Sequence, residues 1–255
     1  MEVVFKVFAA RTVRQPWLDS LRGLAVLWMT AFHFAFDLNH FGWIHQDFYR
    51  APMWTVQRTC ILSLFLLCAG LGQSLAVAQG QSWRQFWTRW AQVAGCALLV
   101  SVGSRFMFPN SWIYFGVLHG MVVMLLVCRL TAHWGRWLWL AAAVTLGVWL
   151  LAPTLHASWP PMSIFDAKPL SWLGLASVKP LTEDYVPVLP WMAVMWWGMA
   201  LGQWGAARSA LARFNATDRT ALRPLAWLGR WSLTWYMLHQ PVLMGALMLL
   251  AALKS

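Results

Sequence analysis

Apolar residues along this chain fall into long, nearly uninterrupted runs, and most of the charge sits in the short segments between them. A helix needs about 20 predominantly apolar residues to cross a bilayer. Seven segments meet or approach that length: residues 20–39, 58–78, 91–107, 113–130, 137–152, 187–204 and 231–251. The third is the weakest, because Gly103 interrupts it and Arg105 lies at its end. Short connections predict antiparallel neighbours. Only residues 153–186, rich in Pro and Trp, form a long connection, expected to be partly ordered against the membrane. The pattern therefore predicts an all-α fold: a polytopic membrane helix bundle of about seven transmembrane helices. No internal repeat or low-complexity tract divides it, so residues 1–255 read as one integral membrane domain.

The first run, LDSLRGLAVLWMTAFHFAFDLNHFGW from Leu18 to Trp43, breaks its own apolar rule. It starts with Asp19 and Arg22 and meets His33 and Asp37 deep inside. Charged groups within a span are costly and point to function. Arg22 and His33, eleven residues apart, return to nearly the same helix face with roughly 16 Å of rise between them. Asp37 lies one turn beyond His33 on that face, which predicts an imidazole–carboxylate pair. The run resembles a signal peptide only superficially, since it is long and has no small-residue cleavage site after it; it reads as a retained first span.

Composition sharpens the class. The chain is 60% hydrophobic and 11% charged, which excludes a soluble globular protein. Its 21 tryptophans suit the interfacial belts of a membrane protein. A net charge of +11 would suggest nucleic acid in a soluble chain, but here the bases sit in short loops. With the N-terminus cytoplasmic, thirteen of the 19 Lys and Arg fall on the inner side and six on the outer, as the positive-inside rule requires. Cys60, Cys68, Cys96 and Cys128 lack metal-type spacing, so neither a disulfide nor a metal is expected.

That orientation gives each polar group a depth. His33 lies past the middle of the first span and Asp37 further out; His119 is one to two turns into the fourth, His239 near the middle of the seventh, and Asp184 at the outer mouth of the sixth. Each has a bland reading. A membrane histidine is often satisfied by a neighbouring helix. Asp184 pairing with Lys179, or Arg22 as a positive-inside anchor, needs no ligand. His40, His45, His133, His156, Glu183 and Asp166 read as loop groups. The basic stretch Arg208–Arg230 suits either anionic head groups or a phosphorylated cytosolic ligand.

Four stretches then carry a resemblance: RGLAVLWMTAFHFAFDLNHFG, YFGVLHG, DYVPVLPW and WSLTWYMLHQPVLMG, in this order. Together they resemble bacterial relatives of the heparan-alpha-glucosaminide N-acetyltransferase catalytic domain. The first also resembles the acyltransferase-3 family, which has an arginine and a histidine at the spacing of Arg22 and His33. The resemblance implies a transmembrane acyltransferase of the bacterial inner membrane. It would take acetyl from cytoplasmic acetyl-CoA, without a metal, and deliver it to a sugar or glycan amine or hydroxyl outside. Arg22 would then bind the coenzyme phosphates and His33 act as base or acyl carrier. Asp37 or Asp184 would orient the imidazole or bind the acceptor with Tyr185 and Trp191, while His119 and His239 stabilise the oxyanion. Two other classes fit the same residues. A proton-coupled exporter of a small anion would use the His/Asp groups as a relay, though seven spans allow no even inverted repeat. A non-enzymatic component of a glycan-assembly complex would tolerate alanine at all four sites. Beyond lipid and acceptor, a tryptophan-rich bundle of this size offers a surface for a homodimer.

Overall fold

The computed structural model describes residues 15–204 and 222–253. Lys6, Arg11, Arg14, Arg208, Arg213, Arg219 and Lys254, which enter the charge asymmetry, lie outside the described residues. Every predicted segment contains a helix. In chain order these are α1 (Pro16–His40), α2 (Pro52–Ala78), α3 (Trp83–Met107), α4 (Val117–Leu130), α5 (Trp137–Ser158) and α6 (Val188–Gln203). They are followed by α7 (Arg223–Arg230) and α8 (Ser232–Ala252).

Local chemistry sets the starts. Pro16 and Pro52 open α1 and α2, where a missing N–H costs nothing and the fixed φ suits the first turn. A reciprocal capping box opens α3: Ser82 Oγ accepts from the Gln85 N–H at 3.3 Å, and Gln85 Oε1 accepts from the Ser82 N–H at 2.9 Å. That box starts α3 at Trp83, eight residues before the predicted start of the third segment, because capping outweighs hydropathy there. Pro153 and Pro241 sit inside α5 and α8 without ending them.

Among the described residues, four helices, α1, α2, α5 and α8, are long and apolar enough to cross a membrane. The other three predicted segments differ in kind. α3 has 25 residues but carries Arg84, Arg89 and Arg105. α4 has 14 residues and α6 has 16, both short of a bilayer's hydrocarbon thickness. Residues 113–116, predicted as span, are not helical; Phe115 makes a parallel bridge with Tyr185. One helix was not expected at all. α7 forms from the end of the basic stretch, RPLAWLGR.

The largest core joins α2, α4, α5 and α6 through Leu66, Met124, Cys128, Leu138, Met195 and Met199. α2 and α6 approach closely because both carry glycine at the crossing. A side chain at Gly70 would overlap the Met195 carbonyl oxygen, and one at Gly198 the Leu67 carbonyl oxygen. A second close crossing holds α7 on the first turns of α1. Substituents at Gly229 and Gly23 would overlap the Asp19 and Leu225 carbonyl oxygens respectively. The pairs 19/229 and 23/225 show that α7 runs antiparallel to α1.

Candidate active site

Three contacts fix how α8 lies against α1. Trp235 Nε1 donates to Thr30 Oγ1 at 2.8 Å, the His33 and His239 rings lie 5.1 Å apart between centroids, and Gln240 Nε2 donates to Asp37 Oδ1 at 2.7 Å. Residue numbers rise together along both helices, so α1 and α8 are parallel. On their shared face His33 lies opposite His239, and one turn further along α1 Asp37 lies opposite Gln240, the next residue of α8.

His239 is buried and bent back onto its own helix. Its Nδ1 lies 2.8 Å from the Tyr236 carbonyl oxygen and 3.2 Å from that of Trp235. A carbonyl only accepts, so Nδ1 must carry the hydrogen, and in the neutral ring Nε2 is left as a bare lone pair. That nitrogen is buried and has no hydrogen-bond partner. An unsatisfied buried polar atom costs about 1–3 kcal/mol, so this nitrogen calls for a hydrogen-bond donor. The Tyr236 ring stands 5.9 Å from that of His239.

Asp37 is 1% exposed. The predicted bond to His33 is not made; Gln240 takes Oδ1, and Oδ2 has no partner. Helical spacing places Asp37 and His33 on one face, but α8 supplies the donor that the carboxylate takes, from Gln240.

At the other end of α1, Arg22 Nη1 donates to Asp19 Oδ1 at 2.9 Å, and Arg230 Nε of α7 lies 3.9 Å from Asp19 Oδ2. The Asp19 carboxylate is buried, while Arg22 is part-exposed. Two guanidiniums thus converge on one carboxylate, leaving an excess of one positive charge. The glycine crossing of α7 on α1 creates this cluster, and Gly72 of α2 leaves the room that Arg22 Nη2 occupies.

His119 stands differently. Its Nδ1 accepts from the Gly116 N–H at 3.2 Å, so Nε2 carries the hydrogen and donates to Ser101 Oγ at 2.9 Å; Ser101 in turn donates to the Ile113 carbonyl at 2.7 Å. Both ring nitrogens are engaged, and the side chain ties the first turn of α4 to α3. Asp184 Oδ2 accepts from the Val117 N–H at 2.8 Å, placing a carboxyl group at the N-terminus of α4. Burial pushes its carboxyl above the ordinary range, against the opposing effects of the Val117 bond, Lys179 and Arg58. Tyr185 donates to the Ser171 carbonyl at 2.6 Å, and burial lifts its phenol to about 12. Trp191 packs against the α2–α4–α5–α6 core. These groups build the wall in which residues 111–117 lie beside 182–186, rather than joining the His33–His239 layer.

The family profile described as heparan-alpha-glucosaminide N-acetyltransferase, catalytic, matches residues 14–241. The chain belongs to this family. The match runs from just before α1 to just past Gln240, so the whole polar face of α1 and α8 lies within it. Membership in the heparan-alpha-glucosaminide N-acetyltransferase family carries transferase activity, and four membrane-length helices make the chain an integral membrane protein. No curated protein and no solved structure matches it significantly. Tyr236 and Gln240 were not singled out from the sequence, and Asp19 and Arg230 were noted there only as the start of the first run and the end of a basic stretch. Gln240 was legible as a polar residue in an apolar run beside His239, but it does not titrate, and a search for ionisable groups passes over it.

Proposed function

We propose that this chain is a transmembrane acetyltransferase that takes acetyl from acetyl-CoA on the cytoplasmic side. It delivers the group to an amine or hydroxyl of a sugar or glycan acceptor on the opposite side. The bundle would have seven spans in a bacterial inner membrane, with its N-terminus inside. The observation that carries this reading is the His33–His239 layer, where the two rings lie 5.1 Å apart between centroids and His239 holds a buried, tautomer-fixed nitrogen without a hydrogen-bond partner.

Acyl transfer needs a base at the attacking group, cations for a polyanionic donor, and a path between them. Acetyl-CoA supplies an activated thioester. The Arg22–Asp19–Arg230 cluster suits its phosphates, because a planar guanidinium pairs well with phosphate oxygens and the cluster holds spare positive charge. Between Arg22 and His33 the helix rises roughly 16 Å, a distance suited to an extended thiol arm. His239 Nε2 takes the proton of the acceptor amine or hydroxyl as its lone pair attacks the thioester carbon. The C–S bond breaks, a C–N or C–O bond forms, and the proton passes on to the leaving thiolate. His33 faces the same atoms, either orienting the carbonyl or carrying the acetyl group through a two-step route.

The test is transfer of labelled acetyl in proteoliposomes by wild type, His33→Ala and His239→Ala. Both variants are expected to insert and fold but to lose transfer by at least about a hundredfold. Label retained on wild-type protein without acceptor, and absent from His33→Ala, would assign the two-step route. Near-wild-type turnover in both variants would overturn the reading.

A further inference from the structure

Three buried atoms beside the histidine layer lack hydrogen-bond partners: His239 Nε2, Asp37 Oδ2 and Gln240 Oε1. In the assigned tautomer and amide orientation, all three are acceptors. The amide orientation is forced, because Nε2 must face the Asp37 carboxylate to make the 2.7 Å bond. Gln240 and Asp37 therefore hold each other in place, each with one oxygen left over. Among the described residues no guanidinium or ammonium bonds Asp37, and the Gln240 amide spends one of its two N–H groups on it. A packed core normally pairs acceptors with donors, and a locus with three orphan acceptors is complementary to a ligand that brings several N–H or O–H groups.

Resting on the acetyl-transfer reading, we propose that Asp37 and Gln240 form the acceptor-recognition subsite. They would bind a second, neighbouring hydroxyl of a polyhydroxylated acceptor whose reacting group lies at His239. The reacting amine or hydroxyl donates to His239 Nε2, and the adjacent hydroxyl donates to Asp37 Oδ2 or Gln240 Oε1. A one-turn offset on α1 separates the two layers, comparable to the spacing of adjacent substituents on a sugar ring together with their hydrogen bonds. Selectivity follows from the cost of leaving these oxygens unpaired. An acceptor with only the reacting group would strand them, which is how hydrogen-bonding sites reject analogues that lack the matching donor.

The experiment compares acceptors of one ring size and one nucleophile: D-glucosamine against cyclohexylamine, and methyl glucoside against cyclohexanol, with acetyl-CoA as donor. Wild type is expected to prefer the polyhydroxylated member of the productive pair by at least about tenfold in kcat/KM. Gln240→Leu should collapse that preference mainly by raising KM for the polyol. Equal use of both members by wild type, or a preference that survives in Gln240→Leu, overturns the subsite while leaving acetyl transfer standing. Because the wild-type comparison requires no variant, a folding defect in Gln240→Leu cannot hide the answer. Wild type that binds acetyl-CoA yet acetylates none of the four compounds, nor water, overturns the acetyl-transfer reading itself.

Discussion

His119 and His239 are one residue type in two opposite states. Both nitrogens of His119 serve the α3–α4 junction, whereas one nitrogen of His239 is fixed by carbonyls and the other is bare. Their substitutions should therefore separate. His119→Ala is expected to lower the melting temperature in detergent while the folded fraction still transfers acetyl, since two hydrogen bonds are lost at about 1 kcal/mol each. His239→Ala should melt close to wild type but be inactive. A reversed pattern would mean that the working nitrogen lies on α4. Asp184 makes a prediction in pH. Burial raises its pKa, so folding favours the protonated carboxyl. The stability tied to that form is complete below the ordinary carboxylate pKa and is lost as pH rises through the raised value. Asp184→Asn stays neutral and can still accept from the Val117 N–H. It should melt above wild type at pH 7 and converge with it near about pH 4. A gap that persists into acid would show that burial of the charge is not the cause.

Between elements, the crossing of α7 on α1 carries the most consequence for the least chain. Eight residues bring Arg230 to Asp19, and only the absence of side chains at Gly23 and Gly229 permits the approach. Gly229→Ala would push against backbone, which cannot rotate away, and overpacking of this kind costs about 1–3 kcal/mol. It should lower the melting temperature and weaken acetyl-CoA binding together. Gly95→Ala on α3, where added atoms meet open space, is the control and should be neutral or slightly stabilising. Calorimetry of both variants with and without acetyl-CoA checks the pair. Equal behaviour would remove α7 from the account of donor binding.

For the whole molecule, the parallel packing of α1 and α8 accords with both running from the same membrane face, as first and seventh spans would. With the N-terminus inside, the α1–α2 connection is external and the α4–α5 connection internal. A membrane-impermeant maleimide should then label His45→Cys on intact cells, and His133→Cys only after permeabilisation, in a background without the four native cysteines. The opposite pattern would reverse the orientation and put the Arg22 cluster on the wrong side for a cytosolic donor. Wild type should also bind acetyl-CoA, and Arg22→Ala should bind it at least about tenfold more weakly, one charge-assisted phosphate contact being lost. Unchanged affinity would leave Arg22 as an anchor only.

Much of this was written in the chain. Hydropathy is a local property, so the helical segments, the long connection before α6 and the rule-breaking groups of α1 could be read residue by residue. His33 stood out because an imidazole inside an apolar run is conspicuous. What lies across from a helix face is not local. The periodicity of α1 put Asp37 beside His33, but Asp37 bonds Gln240, which is 203 residues away in sequence. Arg22 looked like a lone cation until α7 packed Arg230 against the same carboxylate. His119 and His239 were indistinguishable as letters, because a tautomer is chosen by the carbonyls and hydroxyls around the ring. Chain order alone sets the membrane-helical class and the polar groups that must be accounted for. Which of them meet, and which are left with an unused nitrogen or oxygen, only the packing of α7 and α8 onto α1 decided.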